Sequence, residues 1–153
     1  MKEEIKVCLI GAGRAGMVHG HNFAGKVPNG RIVAVCDPVG ETAKKAAKEL
    51  GISFHYKDYQ KVMENSEIDA VIIACPTKYH KEIAVAAAKA GKHIFCEKPM
   101  AMNENECDEM IAAAKKYHVK LQIGFMRRFD ESFQEAKEWI EAGEIGEVVS
   151  VRS

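Results

Sequence analysis

The sequence predicts an α/β fold, a doubly wound parallel sheet with helices on both faces, and two observations support this prediction. Short, almost wholly apolar runs recur along the chain, as expected of strands that are buried on both faces. Segments of about ten residues or more with helical spacing of their apolar positions separate these runs. Because neighbouring parallel strands need a crossover connection, the alternation indicates a series of βαβ units.

The predicted elements follow one another along most of the chain. The strands are rich in Val, Ile and Cys and occupy residues 5–10, 32–36, 70–75, 93–96 and 119–123, with a weaker candidate at 53–55. The helices are rich in Ala, Lys and Glu and occupy residues 15–24, 41–50, 80–90 and 104–117, with a short one at 59–64. Gly51 and Gly91 follow two of these helices, where helices commonly end. Asn103, with Glu106 three residues on, predicts a capped helix start.

The last part of the chain has a different pattern. Residues 128–142 predict a longer amphipathic helix that carries the only tryptophan, Trp139. Residues 147–152 alternate between polar and apolar, which is typical of a strand with one exposed face, and such a strand needs a partner. We therefore expect residues 1–124 to form one domain, and residues 125–153 to be the connecting helix and first strand of a truncated second α/β domain.

Composition excludes several functional classes. The 22 Lys and Arg residues balance the 22 Asp and Glu residues without a basic stripe, which argues against nucleic-acid binding. The apolar runs are far shorter than the roughly 18 residues of a membrane-spanning helix, and no signal peptide is evident, so we expect a cytoplasmic protein. The five cysteines form no Cys-x-x-Cys pair and lie at no zinc-ligand spacing with histidine, so we expect reduced thiols and no metal.

A glycine-rich motif follows the first predicted strand. The segment GAGRAG at residues 11–16 matches G-x-G-x-x-G, lies between a strand and a helix, and indicates a Rossmann-type dinucleotide site. Its first glycine permits a tight turn, its second lets the backbone approach a pyrophosphate, and its third lets the helix pack closely on the strand. The expected cofactor contacts here are Gly11, Gly13, Arg14, Ala15 and Gly16. The alternative is a glycine-rich turn that binds no ligand.

Asp37 ends the second predicted strand, 21 residues after Gly16. An acid at about this spacing accepts hydrogen bonds from the adenosine ribose and repels a 2′-phosphate. No arginine adjoins it, since Pro38 and Val39 follow. We therefore predict NAD as the cofactor in preference to NADP. The alternative is that Asp37 caps the next helix.

Lys98 lies in Glu97-Lys98-Pro99, directly after the predicted strand at residues 93–96. The carboxyl edge of an open α/β sheet is where ligands bind, so this lysine is a candidate for stabilising or exchanging the proton of a substrate hydroxyl. A solvated surface lysine is the alternative.

Four segments together resemble one known family. They occur in the order GAGRAG, CPTKYH at residues 75–80, EKP at 97–99 and GFMRRFD at 124–130. The chain resembles the N-terminal part of the glucose-fructose oxidoreductase / inositol dehydrogenase family (Gfo/Idh/MocA), and GFMRRFD is most similar to the inositol 2-dehydrogenases in it. The resemblance implies hydride transfer between NAD and a secondary alcohol of a polyol or sugar, such as myo-inositol.

The resemblance also implies roles for individual residues. Lys98 would be catalytic and Glu97 would help to hold the cofactor. The other implied contacts are Pro76, Thr77 and His80 beside the nicotinamide ribose, Met126 and Arg127 at the edge of the polyol pocket, and a cis peptide bond before Pro99. The alternatives are that His80 only opens a helix, that Met126 fills the core and that Arg127 is solvated.

Family members have a second domain that supplies an Asp and a His to the active site and usually mediates oligomerisation. The resemblance thus implies a homo-oligomer and an inactive isolated fragment. A rival function is a non-catalytic NAD(H)-binding sensor or regulatory module, for which the glycine motif and Asp37 would serve equally well. Lys98 separates the two hypotheses, because only a dehydrogenase needs a lysine beside the nicotinamide.

Overall fold

The computed structural model describes residues 4–152 and builds them around a six-stranded sheet with the order β3-β2-β1-β4-β5-β6. All neighbouring strands are parallel. The strands are β1 (Ile5–Ile10), β2 (Gly30–Cys36), β3 (Phe54–Tyr56), β4 (Ala70–Ile73), β5 (His93–Cys96) and β6 (Leu121–Ile123). This order is that of a doubly wound dinucleotide-binding sheet, so the predicted fold class is confirmed.

Six helices connect or follow the strands in the described part of the chain. They are α1 (Arg14–Gly25), α2 (Gly40–Glu49), α3 (Tyr59–Glu64), α4 (His80–Lys89), α5 (Glu104–Lys116) and α6 (Glu131–Glu141). Gly51 and Gly91 adopt left-handed φ angles of 69° and 72° just beyond α2 and α4, as predicted. Asn103 caps α5 by accepting the Glu106 N–H, whereas the Glu106 carboxylate accepts the N–H of Met102, one residue before the cap.

The two faces of the sheet carry separate hydrophobic cores. Alternate side chains of a strand point to opposite faces, so Cys8 and Ile10 pack with residues of α3, α4 and α5, while Leu9 packs with residues of α1 and α2. Cys8 and Leu9 are both fully buried. The strands therefore lie between two layers of helices, and this arrangement explains why they are almost wholly apolar in sequence.

The end of the described chain differs from the prediction. A 3-10 turn occupies Met126–Phe129 and Asp130 is extended, so α6 begins at Glu131, three residues later than expected. Residues 147–152 hydrogen-bond to no strand among residues 4–152, and the strand predicted there is absent. The prediction was wrong because an alternating pattern makes a strand only where a neighbouring backbone completes the ladder.

The cysteines are free thiols, and burial suppresses the ionisation of four of them, Cys8, Cys36, Cys75 and Cys96. Desolvation raises the pKa of the Cys36 and Cys96 thiols to about 12 and that of the Cys75 thiol to about 11. Since the thiolate is the form that attacks electrophiles and binds metals, these groups act as small apolar side chains. No cluster of three potential metal ligands occurs within residues 4–152.

In the described part of the chain, every helix is too short or too polar to cross a membrane.

Lys92 is a buried cation just before β5. It lies at the amino-terminal ends of the strands, whereas the glycine motif follows the carboxyl end of β1. Its side chain is 3% exposed, and Nζ donates to the carbonyl oxygens of Asn65 and Ile68 at 2.7 and 2.9 Å. Desolvation lowers the pKa of this ammonium group, but the two hydrogen bonds hold it in place. Lys92 thus ties the loop before β4 to the start of β5.

We expect Lys92→Met to lower the free energy of unfolding by about 1–3 kcal/mol, because two buried carbonyl groups lose their donor. Urea unfolding followed by circular dichroism measures the change. Lys89→Met on the exposed face of α4 is the matched control and should change stability by less than about 0.5 kcal/mol. Equal stability of the two variants would contradict the assignment.

Candidate functional site

A cleft opens where the winding of the sheet reverses. The chain leaves β1 for α1 on one face, whereas it leaves the adjacent β4 for α4 on the other, so the two connections diverge. The space between them has a volume of about 840 Å³. Its lining includes most of the predicted cofactor contacts, namely Gly11, Gly13, Arg14, Ala15, Asp37 and Pro76. Ligands of doubly wound sheets bind at such a reversal point.

At the floor of the cleft, the backbone of the glycine motif packs directly against the backbone of the segment after β4. Gly11 has a φ of +96°, and a Cβ added to it would lie 2.6 Å from the Cys75 nitrogen. A Cβ added to Gly16 would lie 1.9 Å from the Gly11 carbonyl oxygen. Both contacts are too short for any side chain, so these two positions require glycine. The predicted packing role of Gly16 is therefore confirmed.

The N-terminus of α1 is left open for an anion. Its N-cap residue, Gly13, makes no side-chain cap, and the first turn contains no acid. Within residues 4–152 the other five helices each have a side-chain cap or an acidic residue in the first turn. A Cβ on Gly13 would meet nothing within 4 Å, so the space beside the start of α1 is open, and Arg14 is exposed there. Free N–H groups, the helix dipole and a guanidinium suit a pyrophosphate.

Asp37 joins the end of β2 to the glycine loop. Its Oδ2 accepts the Ala12 N–H and its Oδ1 accepts the Val39 N–H, both at 3.0 Å. The N-cap of α2 is Val39, so the alternative that Asp37 caps this helix is wrong. Each carboxylate oxygen has a further lone pair, and the side chain borders the cleft. Asp37 can therefore accept hydrogen bonds from the hydroxyl groups of a ribose in the cleft.

Lys98 lies in the loop after β5, and the residue before it, Glu97, is held by hydrogen bonds. The Glu97 N–H donates to the Ile73 carbonyl at 2.9 Å, which continues the ladder between β4 and β5. The Glu97 carboxylate is 2.7 Å from Nε2 of His19 and accepts the Lys98 N–H at 3.0 Å. Lys98 itself is exposed, and the Lys98–Pro99 peptide bond is cis, as the resemblance implied.

His19 is a residue that the sequence reasoning missed. It lies on α1 three residues after Gly16, so it shares the helix face that packs on the sheet. Its ring also meets Phe95 edge-on, with centroids 5.1 Å apart. That spacing from the third glycine was the available signal, because it aims the side chain at the sheet edge rather than at solvent.

A second hollow, of about 650 Å³, is bordered by Lys98. Its lining consists of Lys98, Pro99, Phe125, Met126, Arg127 and Arg128. The structure therefore brings Met126 and Arg127 together with Lys98. Met126 is 61% exposed, so the alternative that it fills the core is wrong. Arg127 pairs with Asp130 at 3.1 Å.

Thr77 and His80 lie in the segment that follows β4. Thr77 begins the 3-10 turn Thr77–Tyr79, whose Tyr79 lines the cleft although Thr77 does not. His80 is 1% exposed, and its ring nitrogens are 3.0 Å from the Pro99 carbonyl oxygen and 2.8 Å from the Cys75 carbonyl oxygen. Its ring thus lies against the backbone of both loops, and a place beside the nicotinamide ribose stays a prediction for Thr77 and His80.

Comparison with known proteins agrees with this geometry. Residues 5–125 match the family model described as "Oxidoreductase family, NAD-binding Rossmann fold" (GFO_IDH_MocA). The chain belongs to the Gfo/Idh/MocA family. It is 40% identical over 149 residues to scyllo-inositol 2-dehydrogenase (NAD(+)) of Bacillus subtilis, covering 97% of this chain and 44% of that protein. It is 37% identical over 142 residues to myo-inositol 2-dehydrogenase of Thermotoga maritima, covering 93% and 42%.

A solved structure has the same architecture as this Gfo/Idh/MocA chain. The scyllo-inositol dehydrogenase of Lactobacillus casei, crystallised with bound NAD(H) and scyllo-inositol, superposes with a TM-score of 0.88 at 34% identity. The match covers 94% of this chain and 43% of that one. This member of the family thus spans less than half the length of the relatives it matches.

Two glycine variants separate folding from cofactor binding. We expect Gly16→Ala to destabilise the protein by about 3 kcal/mol or more, because its Cβ overlaps the Gly11 carbonyl oxygen. Gly13→Ala should change the melting temperature by only a few degrees, yet raise the Kd for NADH at least tenfold, because its methyl group fills the space for the pyrophosphate. Thermal unfolding and NADH fluorescence titration measure both quantities.

Gly25→Ala is the control for both variants, since a Cβ at this last residue of α1 meets nothing within 4 Å. It should leave melting temperature and Kd unchanged. Tight NADH binding by Gly13→Ala would contradict the pyrophosphate assignment.

The presence of the Asp37 carboxylate predicts that the protein prefers NAD to NADP. A 2′-phosphate 4 Å from this carboxylate would cost about 4 kcal/mol at an effective dielectric constant of 20, so the protein should bind NAD far more tightly than NADP. Asp37→Asn should weaken NAD binding about tenfold and reduce the discrimination, because charge-assisted hydrogen bonds are lost. Calorimetric titration measures each Kd.

Asp58→Asn is the matched control, since Asp58 also borders the cleft and asparagine caps α3 equally well. It should change both affinities much less. NADP binding to the wild-type protein as tightly as NAD would overturn the assignment of Asp37.

Proposed function

We propose that this chain is the cofactor-binding part of an NAD-dependent inositol dehydrogenase, which transfers a hydride between a secondary alcohol of a cyclic polyol and NAD. The observation that carries the proposal is the position of Lys98. It borders the hollow shared with Met126 and Arg127, on a loop hydrogen-bonded to the end of β4, where the dinucleotide cleft begins. The inositol dehydrogenases among its relatives support the substrate class.

The residues of the cleft fit the two halves of NAD in order. The open N-terminus of α1, with Gly11, Gly13, Arg14 and Ala15, would hold the pyrophosphate, while Asp37 would accept the adenosine ribose hydroxyls. Pro76 and the loop that begins at Glu97 would flank the nicotinamide side. In the bound state NAD supplies the acceptor for the hydride.

Lys98 is the group of this chain that would handle the substrate proton. Hydride loss from an alcohol carbon forms a carbonyl group only as the hydroxyl proton leaves. A lysine amine beside the hydroxyl oxygen can accept that proton, and in the reverse reaction its ammonium form can return it. Glu97 and His19 would support this step indirectly, by holding the backbone that carries the Lys98 side chain. Met126 and Arg127 would line the substrate side of the same space.

Residues 1–124 form the proposed cofactor domain, and residues 125–153 the connection to a second domain. The family match ends at residue 125, which supports this boundary. Phe133 and Trp139 on α6 are about half exposed, as expected if a second domain packs against them. We propose that this second domain completes the polyol pocket and mediates homo-oligomerisation. The free thiols favour a reducing compartment, the cytoplasm.

The rival function, an NAD(H) sensor, is tested together with the enzyme. We expect the full-length protein to reduce NAD with scyllo-inositol or myo-inositol, and Lys98→Ala to lower kcat at least about hundredfold while the Kd for NADH changes little. Absorbance at the NADH band measures turnover. Lys78→Ala, an exposed lysine on the turn after β4, is the control and should keep nearly full kcat.

Unchanged turnover in Lys98→Ala would contradict the catalytic role. NADH binding without turnover of any polyol in the wild-type protein would favour the sensor.

A further inference from the structure

Lys57 lies beside Asp37 at the edge of the sheet that borders the nucleotide cleft. The two residues directly follow neighbouring parallel strands, since Cys36 of β2 pairs in register with Tyr56 of β3. The Asp37 N–H continues this ladder by donating to the Tyr56 carbonyl oxygen at 3.1 Å. Neighbouring strands are about 5 Å apart, so the backbone of Lys57 is one strand spacing from that of Asp37. Both residues line the cleft.

The Lys57 side chain lies across the start of α2. A Cβ added to Gly40 would lie 2.2 Å from Cε and 3.0 Å from Nζ of Lys57, so the ammonium group rests against the first residue of this helix. The Asp37 carboxylate lies at the other end of the same short segment, where its Oδ1 accepts the Val39 N–H at 3.0 Å. An anion and a cation therefore flank the turn between β2 and α2.

The Lys57 ammonium group is available to a ligand. Among residues 4–152, no acidic side chain forms an ion pair with it and no hydrogen bond holds it. Asp58, the next residue in the sequence, instead caps α3 by accepting the Gln60 N–H at 2.9 Å. A cation that borders a cleft without a protein partner can donate hydrogen bonds to a molecule that enters it.

A phosphate group on the 2′ position of the adenosine ribose would interact with both charges. The Asp37 carboxylate repels it, and an ammonium group at a comparable distance attracts it by a similar amount. The 2′-hydroxyl group of NAD carries no charge, so Lys57 adds at most one hydrogen bond to it. The ammonium group therefore influences the binding of NADP much more than the binding of NAD.

We propose that Lys57 is a second determinant of cofactor preference, which attracts the 2′-phosphate of NADP while Asp37 repels it. The carboxylate decides the preference for NAD, because it also accepts hydrogen bonds from the ribose hydroxyls, and Lys57 limits how strongly NADP is rejected. Neutralising Asp37 then leaves an unopposed cation for the 2′-phosphate. This inference rests on the placement of the adenosine ribose at Asp37 in the proposed function, but it requires no turnover.

Binding to paired variants of the full-length protein tests the proposal. In an Asp37→Asn background, Lys57→Met should raise the Kd for NADP at least about tenfold, because a charge-assisted hydrogen bond to phosphate is lost. The Kd for NAD should rise less than about threefold. Lys57→Arg retains a cation and should keep the Kd for NADP within about threefold of the Asp37→Asn parent. Calorimetric titration measures each Kd.

Lys48→Met is the matched control, since it removes the same charge from the exposed last turn of α2, outside the cleft lining. In the same background it should change neither Kd by more than about twofold. Added salt should weaken NADP binding to Asp37→Asn more than to the double variant with Lys57→Met, because salt screens the attraction between ammonium and phosphate. Equal Kd values for NADP with and without Lys57 would overturn the proposal, and so would equal losses of NAD and NADP affinity.

A comparison in the wild-type background keeps the test decisive if Asp37→Asn does not fold. There Lys57→Met should raise the ratio of the NADP Kd to the NAD Kd at least about fivefold, and an unchanged ratio would contradict the proposal. Displacement of bound NADH, followed by its fluorescence, measures both values. If the wild-type protein binds NADH but turns over no inositol, the dehydrogenase function fails, and the ratio still decides the role of Lys57.

Discussion

The close approach of α1 to the end of β1 is the constraint on which the site depends. A Cβ at Gly16 would lie 1.9 Å from the Gly11 carbonyl oxygen, and one at Gly11 would lie 2.6 Å from the Cys75 nitrogen. Three segments of backbone therefore meet without a side chain between them. Gly13, Arg14 and Ala15, at the start of α1, stay exposed at the mouth of the cleft. The same glycines thus fix the packing and create the anion site.

This contact also determines where the remaining polar groups lie. With β1 held against β4, the register from Ile73 to Cys96 brings the loops after β4 and β5 side by side. Histidines from two helices then connect to the second loop, His19 through the Glu97 carboxylate and His80 through the Pro99 carbonyl. The Lys98 side chain is exposed, whereas its two neighbours along the chain, Glu97 and Pro99, are restrained by these contacts. Polar contacts restrain this loop at Glu97 and Pro99, while Met100 and Ala101 further along pack against one of the hydrophobic cores.

The sequence was informative where local chemistry determines structure. Apolar runs, left-handed glycines and the Asn103 cap predicted the strands and most helix ends to within a few residues. The strand at residues 147–152 was wrong because strand formation depends on a neighbour. The burial of His80 was hidden for a related reason: its partners are carbonyl groups 5 and 19 residues away, which carry no side-chain signal. Burial that depends on two distant loops cannot be read from the residue itself.

The arrangement around Lys98 bears on the choice between an enzyme and a sensor. A binding module needs the cleft, whose lining extends from Asp37 to Pro76, and the open terminus of α1. Nothing in dinucleotide binding alone requires two histidines to restrain the backbone on either side of an exposed lysine. A reaction does require it, because proton transfer depends on the position of the amine to within a fraction of an ångström. The polar contacts beyond the cleft therefore support the proposal that Lys98 takes part in a reaction.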